Sequence, residues 1–149
     1  MTSNERDEDI RAIETVIARQ FESVTWSDEK ESDWAAFRGG FLPGASLYPA
    51  ARPARSQTVP ALIERFTTLA QTDLRSFEQS VLGTEIHVFG NVAVAFGVCR
   101  NIENGSREVR GVEAFLLVKD AGAWRIASQA WDTEDGSKTI PDYLISKNT

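Results

Sequence analysis

The sequence predicts an α+β domain in which helices come first and a long antiparallel sheet follows, and three observations predict it. From Thr84 to Thr133 the chain reads TEIHVFG, NVAVAFGVCRNI, SREVRGVEAFLLV and AWRIASQAWDT, segments rich in β-branched and aromatic residues. The breaks between them carry Gly90-Asn91, Asn104-Gly105 and Ala121-Gly122, pairs suited to the positive φ of tight hairpin turns. Ahead of this meander, apolar residues recur at helical spacing instead, so the helices supply the surface that the sheet packs against.

The first helix is expected to start at a capping box formed by Thr2 and Glu5, with acidic residues in its first turns where the helix dipole favours them. Ile10, Ile13, Ile17, Phe21 and Val24 then form one apolar stripe that ends near Trp26. After the polar run SDEKES, Ser32 is a candidate cap for a short helix carrying Trp34 and Phe37, ended by Gly39-Gly40. A short strand is expected around Ser46 to Tyr48, followed by the exposed loop AARPARSQT. Thr58 caps a third helix with Pro60 in its first turn and Leu62, Phe66 and Leu69 on one side. A strand begins at Phe77 and crosses Gly83, where a bulge would bend it. The tail from Asp135 to Thr149 is mostly polar and is expected to be less ordered.

Composition narrows the functions. A chain of 149 residues, 42% hydrophobic and 26% charged, fits one globular domain, residues 1–149, able to enclose a pocket. Its net charge of −6 excludes a nucleic-acid partner, which needs clustered Lys and Arg; Arg52 and Arg55 are too small a cluster. No apolar run approaches the roughly 20 residues of a membrane-spanning helix. The acidic start MTSNERDEDI is not a secretory leader, and the lone Cys99 suits a reducing cytoplasm. With one His and one Cys, a metal site of the usual zinc ligands is not expected, and neither a Gly-rich phosphate loop nor a nucleophile elbow suggests a cofactor or serine chemistry.

The order of these segments resembles the nuclear transport factor 2-like superfamily, the cone-shaped fold of steroid Δ-isomerases, polyketide cyclases and scytalone dehydratase. The resemblance is carried by VIARQFESVTW, the DWAAF–LPGASLYP step, ALIERF after an exposed loop, NVAVAFGV and the closing AWRIASQAWDT. It implies N-terminal helices packed in the concave face of a strongly curved, mainly antiparallel, cystatin-like sheet, with an apolar pocket at the open end and homodimers formed sheet to sheet. Set beside the steroid isomerases, their general-base Asp falls at Tyr48 before Pro49, their protonated carboxylic donor at Glu113, and their helical Tyr at Gln20 or Phe21. A phenol with a pKa near ~10 is a poor base at neutral pH. The resemblance therefore does not extend to steroid isomerase activity.

The candidate catalytic residues are Glu113, Asp132 and Tyr48. Glu113 lies in GVEAFLLV on the side of Phe115 and Leu117, where desolvation would raise its pKa and make it an acid or donor. Asp132 would turn inward if Ile126, Ser128 and Ala130 face the interior, giving a carboxylate pair with Glu113. Tyr48 would orient a ligand oxygen. Phe21, Trp26, Phe41, Phe66, Phe96, Val98 and Ser128 are candidate pocket lining, with plain core packing the competing reading for the aromatics. His87 belongs to the outer face, Cys99 to the core, and Trp131 with Gln129 to a face buried by a second copy of the chain. Two functions follow: acid–base chemistry without a cofactor on a small apolar molecule, or a non-catalytic ligand- or partner-binding dimer module.

Overall fold

A computed structural model describes residues 2–146. Helix α1 spans Ser3–Val24 and is capped by Thr2, whose hydroxyl accepts the Glu5 N–H at 3.1 Å. Ile13, Ile17 and Phe21 on its apolar stripe are fully buried. The short α2, Trp34–Gly39, is capped by Asp33, whose carboxylate accepts the Ala36 N–H; Ser32, the expected cap, instead donates its hydroxyl to the Val24 carbonyl. Strand β1 runs Phe41–Tyr48, longer than expected because it carries Pro43 and Gly44 along an edge of the sheet. Helix α3, Val59–Leu69, starts at Thr58 with Pro60 in its first turn.

The meander forms β2 (Phe77–Phe89), β3 (Val92–Glu103), β4 (Arg107–Asp120) and β5 (Ala123–Thr133). The sheet order is β1-β5-β4-β3-β2, antiparallel throughout except that β1 lies parallel to β5. Gly90, Asn104, Gly105, Ala121 and Gly122 take positive φ in the hairpin turns. The helices cover one face of the sheet and bury most of the core against it. Asp9 ties α1 to that sheet: it accepts from the Trp124 indole N–H at 2.9 Å and the Lys119 ammonium at 3.0 Å.

Two bulges set which side chains face the helices. In β2 the register shifts between Val81 and Gly83. In β5 Leu117 pairs with Ile126 but Leu116 pairs with Ser128, so Ala127 is the extra residue. A bulge inserts one step into the period-2 alternation, so every side chain beyond it changes face. Ile126 is therefore inward as expected, whereas beyond the bulge Gln129 and Trp131 point inward and Ser128 and Ala130 outward.

The polar tail contains a fourth helix, α4, Asp142–Ser146, on the outer face, where Ile140 and Leu144 pack on Val98. Arg110 anchors its approach by donating to both Glu134 carboxylate oxygens at 3.0 and 3.1 Å. The expectation of a less ordered tail also covers residues 147–149, which lie outside those described. Gly83 permits the docking of α4, since a Cβ there would stand 2.0 Å from the Leu144 carbonyl oxygen. Gly83→Ala is expected to lower stability by about 1–3 kcal/mol through this overlap. Faster amide exchange should accompany that loss in α4, read by hydrogen–deuterium exchange; unchanged protection there would show that α4 accommodates the methyl group.

Candidate functional site

A cavity of about 270 Å³ opens between α1, α3 and the inner face of the sheet. Val24, Phe37, Leu62, Phe66, Leu69, Phe77 and Trp131 give it apolar walls. Its polar side is made by residues that share the inward register of four strands and α1: Gln79 on β2, Cys99 and Asn101 on β3, Glu113 on β4, Gln129 on β5, and Gln20 on α1. Pro49, Ala50 and Ala51 border the opening, and the Arg52 guanidinium holds their turn by donating to the Pro49, Ala50 and Ala51 carbonyls at 3.4, 3.0 and 3.3 Å. Arg65 is the one cation among the described lining residues.

Glu113 is the centre of the polar side, only 7% exposed. Gln79 Nε2 donates to its Oε2 at 3.1 Å, and Gln129 Nε2 donates to its Oε1. Gln129 and Gln20 exchange two amide hydrogen bonds of 2.8 Å each, which carries the network from the sheet into α1. Burial pushes the Glu113 carboxyl up to about 7, against the opposing pull of the Gln129 and Gln79 amides and the Cys99 thiol. Burial, and then the nearby Glu113 charge, push the Cys99 thiol up to about 12, so it stays protonated at neutral pH and is no nucleophile.

Because both Glu113 oxygens accept amide N–H groups, the network suits the carboxylate. A group with two amide donors on it and a proton that leaves near neutrality can take a proton as well as give one, so a base role stands beside the acid or donor role expected from sequence. The Glu113 surroundings thus combine the two requirements of a general base, a raised pKa and an open apolar space in front of it.

Of the three candidate catalytic residues, Glu113 and Asp132 border one cavity and Tyr48 does not. Tyr48 faces the other side of the sheet, in an outer groove with His87, Phe96, Leu116, Ser128 and Ala130. It is the next residue, Pro49, that turns to the cavity. Asp132 lies at the cavity rim but is exposed, its carboxylate 3.8 Å from Lys138 and accepting the Thr133 N–H at 2.8 Å. The bulge at Ala127 is the reason: Asp132 was expected to share a face with Ile126 and does not.

Of the expected lining, Phe66 borders the cavity. Phe21 is fully buried against Phe115 with ring centroids 6.5 Å apart, Trp26 stacks on Phe77 at 5.2 Å, and Phe41 packs on Phe37 at 5.1 Å, all as core. Alternation on β3 places Ala93, Ala95, Gly97 and Cys99 inward, so Phe96 lies on the outer face and Val98 beneath α4. Ser128 lies in the outer groove, again because of the bulge. Trp131 and Gln129, expected on a dimer face, line the cavity, and Gln129 is buried. His87 is on the outer face.

Sequence reasoning did not single out Gln79, Asn101 or Arg65. Gln79 and Asn101 are direct cross-strand partners, and their signal was two polar residues at inward positions of otherwise packed strands.

With four-stranded meander, parallel β1 and helices on the concave side, the chain has the nuclear transport factor 2-like, or cystatin-like, fold. Among solved structures it is similar to a putative scytalone dehydratase from Novosphingobium aromaticivorans, with a TM-score of 0.73 and 14% identity, covering 94% of each chain. It is similar to the hexachlorocyclohexane dehydrochlorinase LinA-type3 from Novosphingobium barchaimii, with a TM-score of 0.71 and 10% identity over 94% of this chain and 99% of that one. A protein of unknown function with a cystatin-like fold from Nostoc punctiforme gives a TM-score of 0.70 at 14% identity, covering 91% of this chain and 96% of that one. No protein-family model and no curated protein matches the sequence. No helix among the described residues is long and apolar enough to cross a membrane.

The Glu113 pKa sets a pH dependence of stability. Its folded value of about 7 lies above the ordinary 4.5, so between these values the folded protein binds more protons than the unfolded chain. Stability from this group therefore falls as pH rises through that window, by about 3 kcal/mol at most, and levels off above it. Urea denaturation at pH 5 and pH 8 should show this loss in the native sequence and not in Glu113→Gln; equal pH dependence in both would place the ionisation elsewhere.

Proposed function

We propose that the chain is an enzyme in which Glu113 acts as a single general base on a small, largely apolar molecule bearing an acidic C–H. The observation that carries this reading is a buried carboxylate held by two amide donors at the polar side of an otherwise apolar cavity. Tyr48 and Asp132 supply no partner acid inside that cavity, which favours reactions one base can complete. In an isomerisation Glu113 takes a proton from one carbon and returns it to another. In a β-elimination it takes the proton while the leaving group departs with its electron pair. The similar structures named as a dehydratase and a dehydrochlorinase support the elimination form. Neither form is a redox change: in the elimination the C–H electrons become the new double bond, the leaving group keeps the pair of its own bond, and the proton goes to the carboxylate.

A general probe tests the base without knowledge of the natural substrate. In D₂O, 2-tetralone should exchange its activated C–H for deuterium in the presence of the protein, followed by NMR. The rate should rise with pH through about 7, where Glu113 loses its proton. Glu113→Gln should lower it by roughly 10²–10⁴-fold, the range of a lost general base. A rate untouched by Glu113→Gln, with the fold intact, would remove the catalytic reading and leave a binding pocket.

The exposed outer face favours a homodimer formed sheet to sheet. Tyr48, Phe96 and Leu116 stand there 41%, 41% and 44% exposed beside Val94 and His87, a contiguous apolar patch of the kind a second copy covers. This replaces Trp131 and Gln129 as the interface residues. Light scattering should give twice the mass of one chain for the native sequence and the mass of one for Phe96→Glu. A native protein of single-chain mass would reject the dimer.

A further inference from the structure

Helix α3 presents Leu62, Arg65, Phe66 and Leu69 to the cavity, a face with the three- and four-residue spacing of a helix. Three of the four are apolar, and the fourth is an arginine. Leu62 is buried and Phe66 and Leu69 are half-buried, whereas Arg65 is exposed. A side chain that lines a cavity and also meets solvent stands at its opening. The Arg65 guanidinium makes no ion pair and no hydrogen bond among the described residues. Its helical neighbours three and four positions away, Ala61, Leu62, Thr68 and Leu69, carry no carboxylate to meet it.

The rest of the opening does not supply one either. Arg52 brings a second guanidinium there, held by three backbone carbonyls and by no carboxylate among the described residues. The acid of the rim, Asp132, is already matched by Lys138 at 3.8 Å. Further in, the amides of Gln20, Gln79 and Gln129 are engaged with one another and with Glu113. In a chain of net charge −6, the cavity opening thus carries positive charge that no acidic side chain offsets. Such an opening favours an anion, and the guanidinium fork fits a carboxylate through two parallel hydrogen bonds. An anion held at the opening keeps part of its hydration. It also escapes the cost of burial beside Glu113, which is 7% exposed.

We infer that Arg65 is a specificity residue and that the cavity takes a small apolar carboxylic acid, its carboxylate paired with Arg65 at the opening. The hydrocarbon body enters between Phe66, Phe77 and Trp131, and the acidic C–H lies at the inner end, at Glu113. The placement of the C–H rests on the reading of Glu113 as the base; the carboxylate requirement does not.

Calorimetric binding of 2-tetralone-6-carboxylate and of its uncharged carboxamide tests this, because the two are close in shape and differ in charge. At pH 6 the ligand is ionised while Glu113 largely keeps its proton. The native protein should bind the carboxylate about tenfold more tightly than the amide, the value of one charge-assisted contact at a partly exposed site. That preference should shrink as salt rises from about 0.05 to 0.5 M. Arg65→Gln, a change at an exposed position, should bind both compounds equally. Glu113→Gln should keep the preference while it loses deuterium exchange, which separates failure of the anion site from failure of the base. Equal binding by the native protein, a preference that survives Arg65→Gln or high salt, or no binding of either compound would each overturn the proposal.

Discussion

Placing a carboxyl group on the inward face of β4 constrains much of what surrounds it. An ionised carboxylate out of water is strongly disfavoured unless donors replace its hydration. Glu113 has them from Gln79 and Gln129, one on each side of its strand pair, and Gln129 in turn needs a partner, which is Gln20 on α1. The chain of amides therefore reaches from β2 through β4 and β5 to the first helix. Each member is a polar side chain placed where an apolar one would pack, and each is accounted for by the next. Such a network specifies one docking of α1 on the sheet, because a shift of the helix by one turn would leave Gln129 without its Gln20 partner.

The bulge at Ala127 is what makes that network possible. Without the extra residue, β5 would continue the alternation of Trp124 and Ile126 and present Ser128 and Ala130 to the cavity. Gln129 would then lie outside, and Glu113 would be buried with one donor fewer. The same bulge brings Trp131 inside as an apolar wall of the cavity and leaves Asp132 at its exposed rim. One inserted residue thus selects a cavity with a single buried carboxylate over one with a buried carboxylate pair.

Much of the fold was legible because its signals are local. The turn pairs, the α1 stripe, the Thr58 cap and the Gly83 bulge each rest on a few adjacent residues, and the inward position of Glu113 followed from an uninterrupted alternation in β4. Faces were lost where alternation was broken by a bulge with no glycine to mark it: Ala127 looks like any strand residue, Ser128, Gln129 and Trp131 lie on the side opposite to the one expected, and Asp132 reaches only the exposed rim of the cavity. Tyr48 differs, since its place came from the resemblance and not from alternation, which along β1 turns Ala45 and Leu47 inward and Tyr48 outward. The aromatic candidates were missed differently. Phe21, Trp26 and Phe41 are inward, as their spacing requires, but whether an inward ring meets a cavity or another ring depends on partners distant in sequence.

The energetics of the site explain why the proposed basicity of Glu113 and the pH-dependent loss of stability are one property. Desolvation raises the Glu113 pKa, and the amide donors lower it again, so the value near 7 is a balance between the two. More donors would make the carboxylate stable and a weaker base. Fewer would leave a group still protonated at neutral pH, unable to accept a proton. A base is most effective when its pKa lies close to the pH at which it works, and the balance here lies there. The fold tolerates the resulting loss of stability above pH 7 because the apolar layer beneath, Ile13, Ile17, Phe21, Phe115, Leu117 and Ile126, and the Asp9 contacts to Trp124 and Lys119 hold α1 on the sheet independently of Glu113. Structure and reactivity are thus divided between two layers of one interface: an apolar layer that keeps the helix in place, and a polar layer beside it that keeps one carboxylate short of full solvation.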